Sequence, residues 1–417
     1  MLPARIWLVA QLLVLAVLSA GFAAHPSVPM AARPEPALSP TPAAIHLVFW
    51  ENLPPAQAEV LLAEADAFDR QASELTLEIR HYRDTAQLLR TLSGSSAQAW
   101  QLALGDASLA TNLHAQGALE PLDVHFSNAF LESFVEPTLT GVRGEGHVWG
   151  LPDTAGMHLL LFYNRAFVDT PPSDTWQLFQ LAGRLTRGDQ WGLVLNSYDP
   201  IWVIPWLAGY GGWLTDDQGR PTLDSPAMVQ ALNLYLSWHA RLTGVAPTVT
   251  YAEARRLFTQ GKAAMLIDGE WAMVELDQVR TLDWGVAPLP KVSESGLPTA
   301  PLVMARYWLV RRDLPAHQLQ AIQRWLSFVC GPERQLDWAR RFGLLPTRRL
   351  AIEDPRLVRD TRLGVSASQL QAGRSLLMGV DANYLLDAMR GPLRWLLAGA
   401  MSPEDATHAM QAALSGS

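Results

Sequence analysis

The residues with the clearest chemistry are Asp268, Gly269, Glu270 and Trp271, directly after a short apolar run from Ala263 to Ile267. That run has the length and composition of a buried strand, and open α/β sheets hold their ligands at the carboxyl ends of strands. A tryptophan flanked by carboxylates at such an edge offers one flat apolar face beside strong hydrogen-bond acceptors. The pairing suits a polyhydroxylated ligand such as a sugar. Glu51 and Asn52 stand just past another strand candidate, Ile45 to Trp50, and Asp106 just past a third, Trp100 to Leu104. From its position alone, Asp106 reads as the first residue of the helix that follows.

Other chemistries find no support. The ten histidines show no H-x-H, H-x-x-x-H or H-E-x-x-H spacing, so no zinc site is expected. There is no G-x-S-x-G and no phosphate-binding loop. Gly209 to Gly212 is not G-x-G-x-x-G and does not follow a strand within a βαβ unit, which argues against a dinucleotide. No cofactor is expected. Paired acids make a glycosidase only at a separation of about 5 to 10 Å, which a sequence does not display.

Positioning these residues requires alternating strands and helices. Pro54-Pro55 opens a helix carrying apolar residues from Ala58 to Phe68, and Leu75, Leu77 and Ile79 alternate with polar neighbours as in a strand. Strand, helix and strand in so short a span imply a parallel sheet. Before the Ala263 run, Ala254, Leu257 and Phe258 recur at helical spacing and Gly261 stops the helix. Asp224-Ser225-Pro226 opens another helix, running to about Leu242, and Ser402-Pro403 opens the last.

The 417 residues, 49% apolar and 17% charged, suffice for two cored domains. A net charge of −8 without a basic run argues against nucleic acid or an anionic membrane as partner. The single cysteine, Cys330, forbids an intrachain disulfide. Arg5 followed by apolar Ile6 to Ala20 reads as a secretory signal (residues 1–24) or an uncleaved anchor. Residues 25–43, with six prolines from Pro26 to Pro42, read as an extended tether.

The stretch F-x-x-G-K-A-A-M-x-x-x-G-x-W, Phe258 to Trp271, resembles the signature of the extracellular solute-binding proteins of ABC importers, in their maltose-binding, carbohydrate-type branch. Further passages match in order: Gly146 to Pro152 with Leu159 to Arg165, Pro171 to Trp176, Leu344 to Thr347, Glu353 to Arg356, and Gly399 with Ser402 to Asp405. The resemblance runs from about Ile45 to the C-terminus. It implies an α/β, two-lobed periplasmic-binding-protein fold of type II, with a ligand cleft between lobes and a hinge of two or three crossovers. Lobe I would comprise residues 44–155 and 303–350, lobe II residues 156–302 and 351–417.

The resemblance also gives Asp106 a second reading, as a cleft residue. It aligns Asp199-Pro200 with a sugar-contacting acidic-Pro-aromatic-aromatic loop. Ile201 replaces a tyrosine there, and Trp202 is the available substitute. Arg306 and Tyr307 bring bulk to a lobe junction where most relatives have small residues. Leu386 stands where maltose binders carry a stacking tryptophan, and Tyr384 is the nearest replacement. Trp202, Trp271 and Tyr307 would then cover sugar ring faces, with Glu51, Asn52, Asp106, Asp199 and Glu270 bonding hydroxyls. The implied protein is a monomer that delivers a small carbohydrate to the transmembrane subunits of an ABC permease. The rivals are the same fold with an organic anion, polyamine or metal ion, for which Arg306 is the one loop-end cation, and a secreted glycosidase.

Overall fold

The computed structural model describes residues 45–71, 75–92, 100–238 and 249–414; the signal and tether expected at 1–43 lie outside the described residues. In chain order the strands are β1 (Ile45–Glu51), β2 (Leu75–His81), β3 (Leu102–Asp106), β4 (Arg143–Gly144), β5 (His147–Val148) and β6 (Leu151–Gly156). They continue as β7 (Leu159–Asn164), β8 (Trp191–Leu195), β9 (Ala263–Gly269), β10 (Trp284–Ala287), β11 (Met304–Val310) and β12 (Leu345–Pro346). Six of them form one sheet in the order β12-β6-β11-β3-β1-β2, four form a second in the order β10-β7-β9-β8, and β4 and β5 make a small ribbon.

In the first sheet β1 is parallel to both β2 and β3, and the helix Pro55–Gln71 supplies the crossover that a parallel pair requires. Leu47 to Glu51 are all buried, as expected where helices cover both faces. The core on this sheet is aromatic, with Trp308 edge-on to Phe49 at 5.6 Å and to Trp325 at 5.9 Å. In the second sheet successive residues of β7 enter different cores: Leu159 and Leu161 one, Leu160 and Phe162 the other. Among the described residues eight tryptophans are fully buried, so the high tryptophan content is chiefly a packing property.

Two lobes follow, one around each sheet, joined by three chain crossings. The first leaves β6 at Gly156, which pairs with Met304, and enters β7 at Leu159, which pairs with Gly269. The second runs through Pro301 to Val303 and the third through Gly373 to Ser375. These two lie side by side, with Val303 N–H donating to Arg374 O at 2.8 Å and Arg374 N–H to Pro301 O at 3.0 Å. Ala351, Ile352, Leu357, Ala367 and Leu370 pack in the first lobe's core. The helix Leu363–Ala372, beyond the Glu353 to Arg356 motif, likewise packs on this core through Ala367 and Leu370, while its Val365 and Gln369 reach the second lobe.

Candidate functional site

Strand polarity brings the carboxyl ends of β1, β3, β8 and β9 to the crossover side of their sheets, so that the two lobes present them to one another across a cleft. On the first lobe Asp106 is the N-cap of the helix Ala107–Ala115, its Oδ1 accepting Leu109 N–H at 2.9 Å. Its Oδ2 is 3.4 Å from the Thr85 hydroxyl, which in turn accepts Asn52 Nδ2–H at 2.9 Å. Asn52, Thr85 and Asp106 are thus one chain of hydrogen bonds along the lobe edge, and the cap and cleft readings of Asp106 are compatible. Ser108, Thr111 and Asn112, on the first turns of that helix, line a groove of about 630 Å³ counting solvent at its mouth. Asp381 and Asn383 face them from the second lobe, with Met304 and Leu376 as apolar wall. Asp381 caps the helix Ala382–Leu397 through Asn383 N–H at 2.9 Å.

A second groove between the lobes holds Gln57 and the Arg340–Leu344 turn opposite Glu270 and Trp271. The half-buried Trp271 indole folds back over Gly269, where a Cβ would lie 2.0 Å from the ring. Its Nε1–H donates to the Tyr251 hydroxyl at 2.8 Å. Glu270 accepts Met157 N–H at 2.9 Å. Burial pushes the Glu270 carboxyl up to about 7, against hydrogen bonds from Met157 and His158 that lower it. Burial likewise raises Asp268 to about 7, only partly offset by Arg255, and drives His158 down to about 3.

Several of the expected contact residues have other partners within the protein. Trp202 is core: its Nε1–H donates to Ile267 O at 2.8 Å, and only 3% of the residue is exposed. Tyr307 lines the first groove but is only 1% exposed, and its hydroxyl donates to Thr138 O at 3.1 Å. Glu51 is fully buried beside His81, with Oε1 to Nδ1 at 2.9 Å. Arg306 is spent on Asp153, through Nε at 3.0 Å and Nη2 at 2.7 Å. Asp199 caps the turn Pro200–Trp202 through Ile201 N–H at 3.1 Å. Tyr384 is exposed and donates to Leu414 O at 3.1 Å, toward the C-terminal helix. Apart from Asp199, each of these groups bonds a partner at least thirty residues away along the chain. Sequence reasoning missed Thr85, Ser108, Thr111, Asn112 and Asn383. The polar set at 108, 111 and 112, on one helical face right after a buried strand, was the available signal.

Residues 63–364 match the family model described as bacterial extracellular solute-binding protein. The chain belongs to that family. Among its relatives is the maltotriose-binding protein of Pyrococcus abyssi, 22% identical over 322 residues, which are 75% of this chain and 69% of that one. Solved structures share the fold of this solute-binding protein. A cyclo/maltodextrin-binding protein complexed with maltotetraose superposes with a TM-score of 0.79 at 18% identity, over 89% of this chain and 96% of that one. A maltose/maltodextrin-binding domain from Bdellovibrio bacteriovorus bound to maltotriose gives 0.68 at 24% identity, over 89% and 99%. As a member of an extracellular family the protein works outside the cytoplasmic membrane, and no helix among the described residues is long and apolar enough to cross one.

Proposed function

We propose that this solute-binding protein captures a neutral oligosaccharide of the maltodextrin kind between its lobes and delivers it to the permease of an ABC importer. The observation that carries the solute class is the lining of the groove beside the helix Ala107–Ala115. It offers hydroxyls, amides and apolar wall, with no lysine, arginine or histidine among its described residues. An anion would need a cation there. A polyamine would need several carboxylates, and Asp381 is the one acid among the described residues lining this groove. Hydroxyl and amide groups instead match a polyol, whose misplacement leaves buried polar groups unpaired at a cost of about 1–3 kcal/mol each. The names of the relatives support the same class.

On this reading lobe I comprises 45–156 with 303–372, and lobe II 157–302 with 373–414. A solute touching both lobes favours the closed form by its differential affinity, and the closed form docks on the permease. The protein acts as a binding monomer, held near the membrane by its N-terminal segment. Calorimetric titration with maltotriose, spermidine and glucose 6-phosphate tests it: maltotriose alone should bind. Asn112→Leu, in the wall of that groove, should weaken that binding about tenfold or more while leaving the circular dichroism spectrum unchanged. Binding of spermidine or the phosphate ester without maltotriose refutes the solute class.

A further inference from the structure

In the first crossing only Met157 and His158 separate the two sheets, so rotation of the lobes has to be absorbed there and at the two other crossings. Met157 is held at φ 65°, a left-handed conformation that residues with a side chain rarely adopt. Glu270, at the end of β9, clasps this pair. Its Oε1 accepts Met157 N–H at 2.9 Å, and its own N–H donates to His158 O at 3.1 Å. Gly156 makes room for the carboxylate, since a Cβ there would lie 2.3 Å from Oε1. On its far side the His158 ring meets Ser366, with Nε2 to Oγ at 2.8 Å. Ser366 belongs to the helix Leu363–Ala372, which packs in the first lobe's core through Ala367 and Leu370.

Glu270, His158 and Ser366 therefore run from the second lobe, through the crossing, to the first. One link is open. Glu270 Oε2 and His158 Nδ1 are both buried without a hydrogen-bond partner, and they lie 3.8 Å apart.

We propose that Glu270, His158 and Ser366 form a proton-responsive brace across the hinge, in which protonation of Glu270 leaves the buried triad uncharged and shifts the lobes toward the closed state. With Glu270 protonated, its Oε2–H donates to His158 Nδ1, and Nε2–H donates to the Ser366 hydroxyl. With Glu270 ionised, the ring takes the other tautomer. Nδ1–H then faces Oε2, and Nε2 accepts the Ser366 O–H. The imidazole is neutral in both states, so the brace carries no charge in the first and one negative charge in the second. Burial raises the carboxyl toward neutrality and keeps the ring from protonating there. Glu270 lines a groove shared with Gln57 and Arg340 to Leu344 of the first lobe, so parting the lobes hydrates it. Hydration favours the ionised form, and rising pH accordingly favours opening.

The surrounding charges do not short-circuit this. Asp268 on the same strand reinforces the upward shift. Arg255, from the helix Tyr251–Thr259, lies 3.6 Å from Asp268 and 2.8 Å from Glu275. From the helix Ala272–Leu276 and its end, Asp277 is ion-paired with Arg362. Arg341 is paired with Asp337 at 2.6 Å, and Arg340 and Asp360 line the same groove. Among the described residues His158 alone comes within ion-pair distance of Glu270.

The test uses solute-free protein, so its failure is separate from failure of the sugar reading. Spin labels on cysteines introduced by Ala129→Cys and Gln180→Cys, both exposed and one in each lobe, report lobe separation by pulsed electron resonance. Cys330 is buried with its thiol pushed up to about 12, and stays unlabelled. From pH ~5.5 to ~8 the ratio of long to short distances should rise roughly fivefold. Glu270→Gln, uncharged throughout and still able to accept from Met157 N–H, should remove the dependence. Gly156→Ala should also remove it, by displacing the carboxylate while the acid is retained. A ratio that stays flat in the parent protein overturns the brace, as does full pH dependence in either folded variant.

Discussion

Asp153→Asn removes a carboxylate that stands between two guanidinium groups in the first lobe. Asp153 is fully buried. Its Oδ2 accepts Arg306 Nε–H at 3.0 Å and Nη2–H at 2.7 Å, while Oδ1 accepts Trp308 Nε1–H at 3.1 Å and a short bond from Arg334 Nη1–H. Burial alone would raise this carboxyl, but Arg334 and Arg306 hold it below the ordinary range, so it is ionised at neutral pH. The amide keeps one acceptor oxygen, turns its NH₂ toward donors and leaves positive charge uncompensated. Breaking one side of a buried ion pair costs about 3–5 kcal/mol. Arg334 retains Glu64 at 3.2 Å and Arg306 retains Gln57 at 2.9 Å, which places the expected loss near 3 kcal/mol. Against a typical total of 5–15 kcal/mol that is a large share. Urea unfolding followed by tryptophan fluorescence reads it directly. The double variant with Arg306→Ala should lose about 1–3 kcal/mol less than the sum of the singles, and maltotriose affinity should be unchanged. A loss below about 1 kcal/mol would show that the cluster is effectively solvated. Phosphate esters protecting the parent protein but not Arg306→Ala would return Arg306 to the binding site.

Tyr307→Phe should cost about 0.5–1.5 kcal/mol in urea unfolding and leave solute affinity unaltered, because the hydroxyl is spent on Thr138 O and the ring that lines the groove is retained. Stability should also fall as pH rises from ~5 to ~8. Asp268 and Glu270 are raised in the folded state, so their contribution is full below their ordinary values of 3.8 and 4.5 and disappears as pH passes about 7. His158, lowered from 6.5, opposes this below 6.5 only, leaving a net loss on the order of 2–3 kcal/mol. Equal or greater unfolding free energy at the alkaline end would contradict the burial of these acids.

Much of the architecture was legible in the chain. The β1–helix–β2 unit follows from period-two alternation after a helix started by proline, and the β9 strand from its unbroken apolar run between a glycine stop and a polar end. Caps at Asp106, Asp199 and Ser402 stand where short polar residues precede helical spacing, because a cap is satisfied by backbone only two or three residues away. Side-chain destination was not legible. Trp202 and Trp271 both follow strands of one sheet, yet one is sealed against Ile267 and the other stays half-exposed over Gly269.

Neighbours within a turn or a strand pair set the elements, their order and the strand ends at which a ligand belongs, and these could be read along the chain. Tertiary structure alone decided which of the candidate groups still had free bonding capacity once the lobes were packed. Arg306 is consumed by an aspartate more than a hundred residues earlier, and Glu270 by the hinge backbone at Met157. A charge or hydroxyl bonds whatever is nearest in space, and nearness across such separations is set by the packed sheets rather than by spacing along the chain.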